Sequence, residues 1–326
     1  MSQIIAVAGT SHSPALAMDP EVMWKKRAED DMANPELYDN AGDIRPYADL
    51  EAEAAGKYHH ELSPQVWRQK YERCQQALVR LGNDLRSLAP DLLLVIGDDQ
   101  DELFTRRNQP AIAVYYGKEL ATHEPIDYGS EILTDVQRDL GMDGAVYPAH
   151  PDAGRHIIRS LVADGFDIAA SSETETDSGF GHAFAFVVGR LLAGYEVPMV
   201  PILINTYFPP NQPTPGRCYD LGRALKRAID TLPGDLRVAV IASGGLSHFV
   251  VDEGLDQLIL DAMSRHDAEA MRHIDPARLN SGTSEARNWI AAAGAAVHLT
   301  TNWVEYVPAW RSEGGTGIGL AFGLWS

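Results

Sequence analysis

Cysteine and positive charge are both scarce in this chain. Its 326 residues include two cysteines, Cys74 and Cys218, too few for a disulfide framework or a zinc ribbon. Lysine and arginine number 27 against 46 aspartates and glutamates, giving a formal net charge of −19. Such a chain repels phosphate backbones, so no nucleic-acid partner is expected. No run reaches 18 consecutive apolar residues, so no membrane span is expected. The N-terminus has no basic n-region and its apolar run is too short for a signal peptide, so the expectation is a cytoplasmic protein.

What is present is a set of short, glycine-bounded apolar runs. Ile4–Ala8 leads into Gly9-Thr10-Ser11-His12, and Leu92–Ile96 leads into Gly97-Asp98-Asp99-Gln100. Val238–Ile241 leads into Gly244-Gly245-Leu246-Ser247-His248, with Asp252 and Glu253 close behind. Runs of this kind read as buried strands of an α/β sheet. Ligands on such sheets collect outside the carboxyl ends of the strands. Three strands delivering His, Asp, His and Glu to one edge therefore point to a metal site.

The rest of the chain fits one large α/β domain, 1–326, with a mixed central sheet flanked by helices and the metal site at the strand ends. Residues 19–62 are polar, acidic and broken by Pro20, Pro35 and Pro46, which reads as a helical excursion or lid. Trp67, Tyr71, Cys74, Leu78, Leu81, Leu85 and Leu88 recur at helical spacing behind Ser63-Pro64, and Pro90 stops them. Further strands are expected at 111–115, 166–170, 199–204, 236–242 and 317–324. Helices are expected at 152–164, 183–192, 215–232, 254–272 and 284–294, and a loop at 171–181.

Among the candidate side chains, His12 follows the first strand directly. Glu253 has two readings: a carboxylate arm of an iron site, or simply an acid favouring a helix dipole. His248 is placed to orient Glu253 or a substrate hydroxyl. His182, behind Gly179-Phe180-Gly181, has the chemistry of a general base, or else caps a buried helix. Several motifs fail. Gly245–Phe249 lacks the last glycine of a nucleophile elbow, Gly315–Gly319 has no following helix or acid for a dinucleotide, and the adjacent His59 and His60 are a poor chelating pair.

With His12, His150-Pro151-Asp152, His182, Gly244–His248 and Glu253 in this order, the chain resembles the class III extradiol dioxygenases of the protocatechuate 4,5-dioxygenase catalytic (beta) subunit type. Gly97–Gln100 and Asn205–Pro213 are most similar to the 3-O-methylgallate dioxygenase-like branch. The resemblance implies opening of a catechol-type aromatic acid by O2 at Fe(II), with Mn(II) the alternative. Its members assemble as homodimers or with a small partner subunit that caps the active site; residues 19–62 offer such a cap here, so a homodimer is expected. The resemblance also implies His12 and Glu253 as metal ligands and His182 and His150 as catalytic histidines. By their positions in the chain, His248, Asn205, Tyr207 and Ser284 are expected around the substrate. At the place of the family's second metal histidine this chain has Asp99. Either Asp99 is the third ligand, or His59 or His60 folds in, or the site is incomplete. A metal-dependent hydrolase, and a non-catalytic binding protein of the Memo type, are the competing readings.

Overall fold

The computed structural model describes residues 1–127, 129–174 and 179–326. The strands are β1 (Gln3–Thr10), β2 (Leu92–Asp98), β3 (Ile112–Tyr115), β4 (Glu119–Ala121), β5 (Val146–Pro148), β6 (Ala169–Ser171), β7 (Met199–Ile204), β8 (Arg237–Ser243), β9 (His248–Val250), β10 (Thr301–Trp310) and β11 (Thr316–Trp325). The helices are α1 (Pro20–Met32), α2 (Tyr47–Ala54), α3 (Pro64–Leu88), α4 (Glu131–Asp139), α5 (Pro151–Ala163), α6 (His182–Ala185), α7 (Pro215–Asp230), α8 (Glu253–Arg265), α9 (Ala268–Arg272) and α10 (Ala286–Ala295).

The main sheet runs β10-β11-β1-β8-β2-β7-β3-β6, with β9 also paired to β11. Its centre, β1, β8, β2 and β7, is parallel. β11 joins β1, and β3 joins β7, in antiparallel fashion, so the sheet is mixed.

The apolar runs are continuous because both faces of these strands are covered. On β2, Leu92, Leu94 and Ile96 enter one core with α5, α7, α8 and α10. Leu93 and Val95 enter a second core with α1, α3 and the helix at 182–191. The period-2 alternation of a strand thus sends successive side chains to opposite layers. This arrangement is the α/β domain that the sequence pattern implies.

Most of the expected elements are present, with informative differences. α3 is capped by Ser63, whose Oγ accepts from Val66 N, with Pro64 in its first turn. The helix expected over 254–272 is two, because His266 turns left-handed (φ 57°) and Asp267 caps α9 afresh. The helix expected over 183–192 begins as α6 and continues as a π-helical turn, Phe186–Leu191. β10, β9 and the β4–β5 pair were not expected. Part of the loop expected at 171–181 lies outside the described residues.

Within residues 19–62, α1 is pinned rather than loose. Arg311 donates from Nε and Nη2 to the two Asp31 carboxylate oxygens (2.6 and 2.9 Å), in a pair that is almost fully buried. Trp24 Nε1 donates to Ala15 O at 3.1 Å.

Candidate metal centre and its cavity

The parallel strands end together, and the polar side chains just past them converge. His12 follows β1, Asp98 closes β2, Ser243 closes β8, and Gly244–His248 turns behind it. From the other side, the turn Ser281–Glu285 delivers Glu285 into the start of α10. One ligand atom each from His12, Asp98 and Glu285 lies within 4.8 Å of the others, and all three residues are buried.

Hydrogen bonds aim these atoms. His12 Nδ1 pairs with Ser243 Oγ at 3.0 Å, which turns Nε2 towards Glu285 Oε2, 3.3 Å away. Among the described residues, the buried His12 Nε2 has no hydrogen-bond partner beyond this approach to Glu285. Asn288 Nδ2 donates to Asp98 Oδ1 at 3.2 Å and to Ser243 O at 2.9 Å. Asn288 lies three residues beyond Glu285 and shares its side of the chain. Gly245 N donates to Glu285 Oε2 at 2.8 Å. Gln100 Nε2 donates to Asp98 Oδ2 at 2.9 Å and reaches Glu285 Oε1 at 3.4 Å.

Two further histidines complete the site. His182 packs edge-on against His12, with ring centroids 4.6 Å apart. Its Nδ1 pairs with Glu102 Oε1 at 2.7 Å. Gly181 makes room for that carboxylate, since a Cβ there would come within 2.2 Å of Glu102 Cδ. His248 Nδ1 donates to Leu246 O at 2.9 Å, and its Nε2 faces Glu285 Oε2 at 3.7 Å. Gly245 accommodates the ring; a Cβ there would lie 2.1 Å from His248 Cε1.

The electrostatics follow from burial and proximity. Burial pushes the Asp98 carboxyl up, and Glu285 beside it pushes the same way. Burial would also raise Glu285, but His248, His12 and the Gly245 N–H outweigh it and hold the carboxyl down. For His182, burial disfavours the charged ring, yet Glu102, Asp98 and Glu285 prevail and raise it to about 9. Two buried carboxylates facing one unpartnered imidazole nitrogen form a donor set that a divalent cation fits.

The site opens into a cavity of about 1040 Å³ that includes His12, His182, His248, Gln100, Tyr207 and Glu285 in its lining. Ile132, Leu133 and Val136 of α4 supply an apolar side. A concave pocket with apolar walls and polar groups converging at its metal-centre end suits a small ligand that carries both an aromatic ring and polar substituents.

Several residues singled out from the sequence sit elsewhere. Asp99 is one residue beyond Asp98, so its side chain leaves on the other side of the strand. It accepts instead from Leu103 N and Phe104 N at 2.7 and 3.0 Å, and burial raises its carboxyl to about 7. Glu253 is exposed in the first turn of α8, beyond the Asp252 cap, where it favours the helix dipole. Neither belongs to the group around His12; Asp98 and Glu285 stand there. His59 pairs with Glu313 at 2.7 Å and His60 lies 3.3 Å from Glu61, so neither folds in.

His150 caps α5, its Nδ1 accepting from Ala153 N at 3.2 Å, and does not line the cavity. Asn205 holds its own loop by accepting from Phe208 N at 3.0 Å. Ser284 is fully buried behind Glu285. Neither lines the cavity, whereas Tyr207 and His248 do. Glu102, Gln100, Asn288 and Ser243 had no role assigned from sequence. Strand parity on β2 is the signal that separates Asp98 from Asp99.

Residues 58–323 match the family described as the catalytic LigB subunit of aromatic ring-opening dioxygenase, and the chain belongs to that family. It is 39% identical over 104 residues to the gallate dioxygenase of Pseudomonas putida, covering 32% of this chain and 30% of that protein. It is 38% identical over 110 residues to a 2,3-dihydroxyphenylpropionate/2,3-dihydroxicinnamic acid 1,2-dioxygenase of Rhodococcus jostii, covering 34% and 33%. A protein of the same name from a Rhodococcus species is 28% identical over 194 residues, covering 54% of this chain and 58% of its own length. The alignments thus take in under two thirds of each of these relatives.

Proposed function

We propose that this chain is a metal-dependent extradiol dioxygenase that opens the ring of a catechol-type aromatic acid with O2. The observation that carries the reading is the buried His12 Nε2 facing Asp98 and Glu285 at the edge of a cavity roomy enough for an aromatic acid. His12, Asp98 and Glu285 would hold the metal, with His248 Nε2 at its edge. Imidazole with two carboxylates suits Fe(II), and Mn(II) as the alternative, better than a thiolate-loving ion. When bound, such an ion supplies Lewis acidity and, as iron, one-electron chemistry for O2.

The chain's own residues do the rest. His182, held through Nδ1 by Glu102, presents its other ring nitrogen as a proton-transfer group. Its surroundings favour the protonated ring, which makes it a hydrogen-bond donor at rest. With Asp98 and Glu285 committed to holding the metal, Glu102 would remain as the carboxylate bearing on His182. The Glu102–His182 pair is then free to take a proton from a ring hydroxyl and return it later. Tyr207, on a loop tied to Ser281 by a 3.3 Å hydroxyl contact, narrows the space available to the ring.

The reading carries with it a cytoplasmic homodimer in which residues 19–62 cover the cavity. Sedimentation would show a mass near twice 35.6 kDa. The decisive test is oxygen uptake by anaerobically Fe(II)-loaded protein offered gallate, 3-O-methylgallate, protocatechuate and simple catechols. Uptake matched to loss of one diol supports the reading. Substrate turnover without O2 would favour a hydrolase. No uptake with iron or manganese across the panel would overturn the dioxygenase assignment.

A further inference from the structure

An acidic protein that takes an anionic aromatic acid needs a local cation, and among the described residues the cavity wall contains one without an ion-pair partner. Three long cationic side chains line the cavity: Lys26, Arg27 and Arg311. Arg311 is spent on Asp31, and Lys26 pairs with Asp30 on the same helix. Arg27 makes no ion pair and no side-chain hydrogen bond among the described residues, although it is half-buried. Its own helix neighbours Asp30 and Asp31 are thus already engaged by Lys26 and Arg311.

Burial weakens the hold of Arg27 on its proton and the neighbouring Arg311 charge works the same way, outweighing the opposing pull of Asp30 and Asp31, which are already paired with Lys26 and Arg311. A desolvated guanidinium without a counter-ion is costly to keep, and five donors in a fixed fork suit a carboxylate in two-point contact. The Asp31–Arg311 pair and the Trp24 hydrogen bond hold α1 in place, so the fork is presented from a fixed element. Tyr207 lines the same cavity.

We infer that Arg27 is the carboxylate-binding residue of this cavity, selecting ring diols that bear an anionic substituent over neutral ones. The inference rests on the function proposed above, and it adds a use for residues 19–62: they read the substituent on the ring.

The test compares 3,4-dihydroxybenzoate with catechol on the Fe(II)-loaded protein, first as equilibrium binding without O2 and then as oxygen uptake. The native protein should bind the carboxylate-bearing diol more tightly. In Arg27→Gln that preference should fall by roughly 10- to 100-fold. Arg27→Lys keeps the charge and loses the fork, so its preference should fall between the two. A preference unchanged in Arg27→Gln, or absent from the native protein, overturns the inference. Binding that shifts as expected with no oxygen consumed leaves Arg27 standing and brings down the dioxygenase reading instead. Oxygen uptake with an unmoved preference does the reverse.

Discussion

At the scale of single residues, the site turns on which of several neighbouring acids faces His12. Asp98→Ala or Glu285→Ala should weaken metal binding by at least about tenfold, read by elemental analysis after reconstitution and desalting. Glu253→Ala should hold a full complement, because Glu253 is exposed at a helix start. Loss of metal from Glu253→Ala alone would reverse the assignment. Glu102→Gln makes a complementary prediction: metal content stays, while kcat falls by about tenfold or more, because the charge behind His182 is removed. An unchanged kcat would remove Glu102 from the mechanism. The sequence made His12 and His248 legible because each follows a glycine-bounded apolar run, and His182 because Gly179-Phe180-Gly181 sets it at a helix start. It did not separate Asp98 from Asp99, since both stand in one motif and only strand parity tells them apart. Glu285 was harder still. It reaches the site from 40 residues past Gly245, and nothing local to Ser284-Glu285 announces that long-range contact.

Elements were legible where burial on both faces writes an unbroken apolar run, as in β2 and β7. β10 escaped because it lies at the sheet edge, with Asn302, Glu305 and Pro308 interrupting its pattern. The excursion at 19–62 was visible as a departure in composition, but its anchorage was not, since Asp31 and Arg311 are 280 residues apart. That pair is the element's weak point. Arg311→Leu leaves the Asp31 carboxylate buried and unpaired, a loss of about 3–5 kcal/mol for such pairs. The cost should fall locally: amide exchange in 20–32 should quicken while β1, β2 and β8 stay protected. Uniform acceleration across the sheet would mean that α1 is integral to the core rather than docked on it.

For the whole molecule, charge and burial push stability the same way with pH. A net charge of −19 means that protonation relieves self-repulsion. Asp256 adds a specific contribution. It is buried beneath Ser247 and Tyr306, accepting from Ser247 N (2.8 Å), Ser247 Oγ and Tyr306 Oη (both 2.7 Å). Burial outweighs these donors and raises its carboxyl from 3.8 to about 7. A carboxyl raised in the folded state favours folding fully below its unfolded pKa, and that contribution is lost as pH climbs through the folded one. Between pH 4 and 7, therefore, Asp256 costs the fold up to about 1.4 kcal/mol per pH unit. Asp256→Asn keeps a group of the same shape without the charge. Urea unfolding of metal-free protein should show native stability falling more steeply than the variant's over this window, with the two running parallel above pH 8. Parallel curves throughout would mean that Asp256 is ionised in the folded protein at every pH tested. Its three donors would then outweigh its burial.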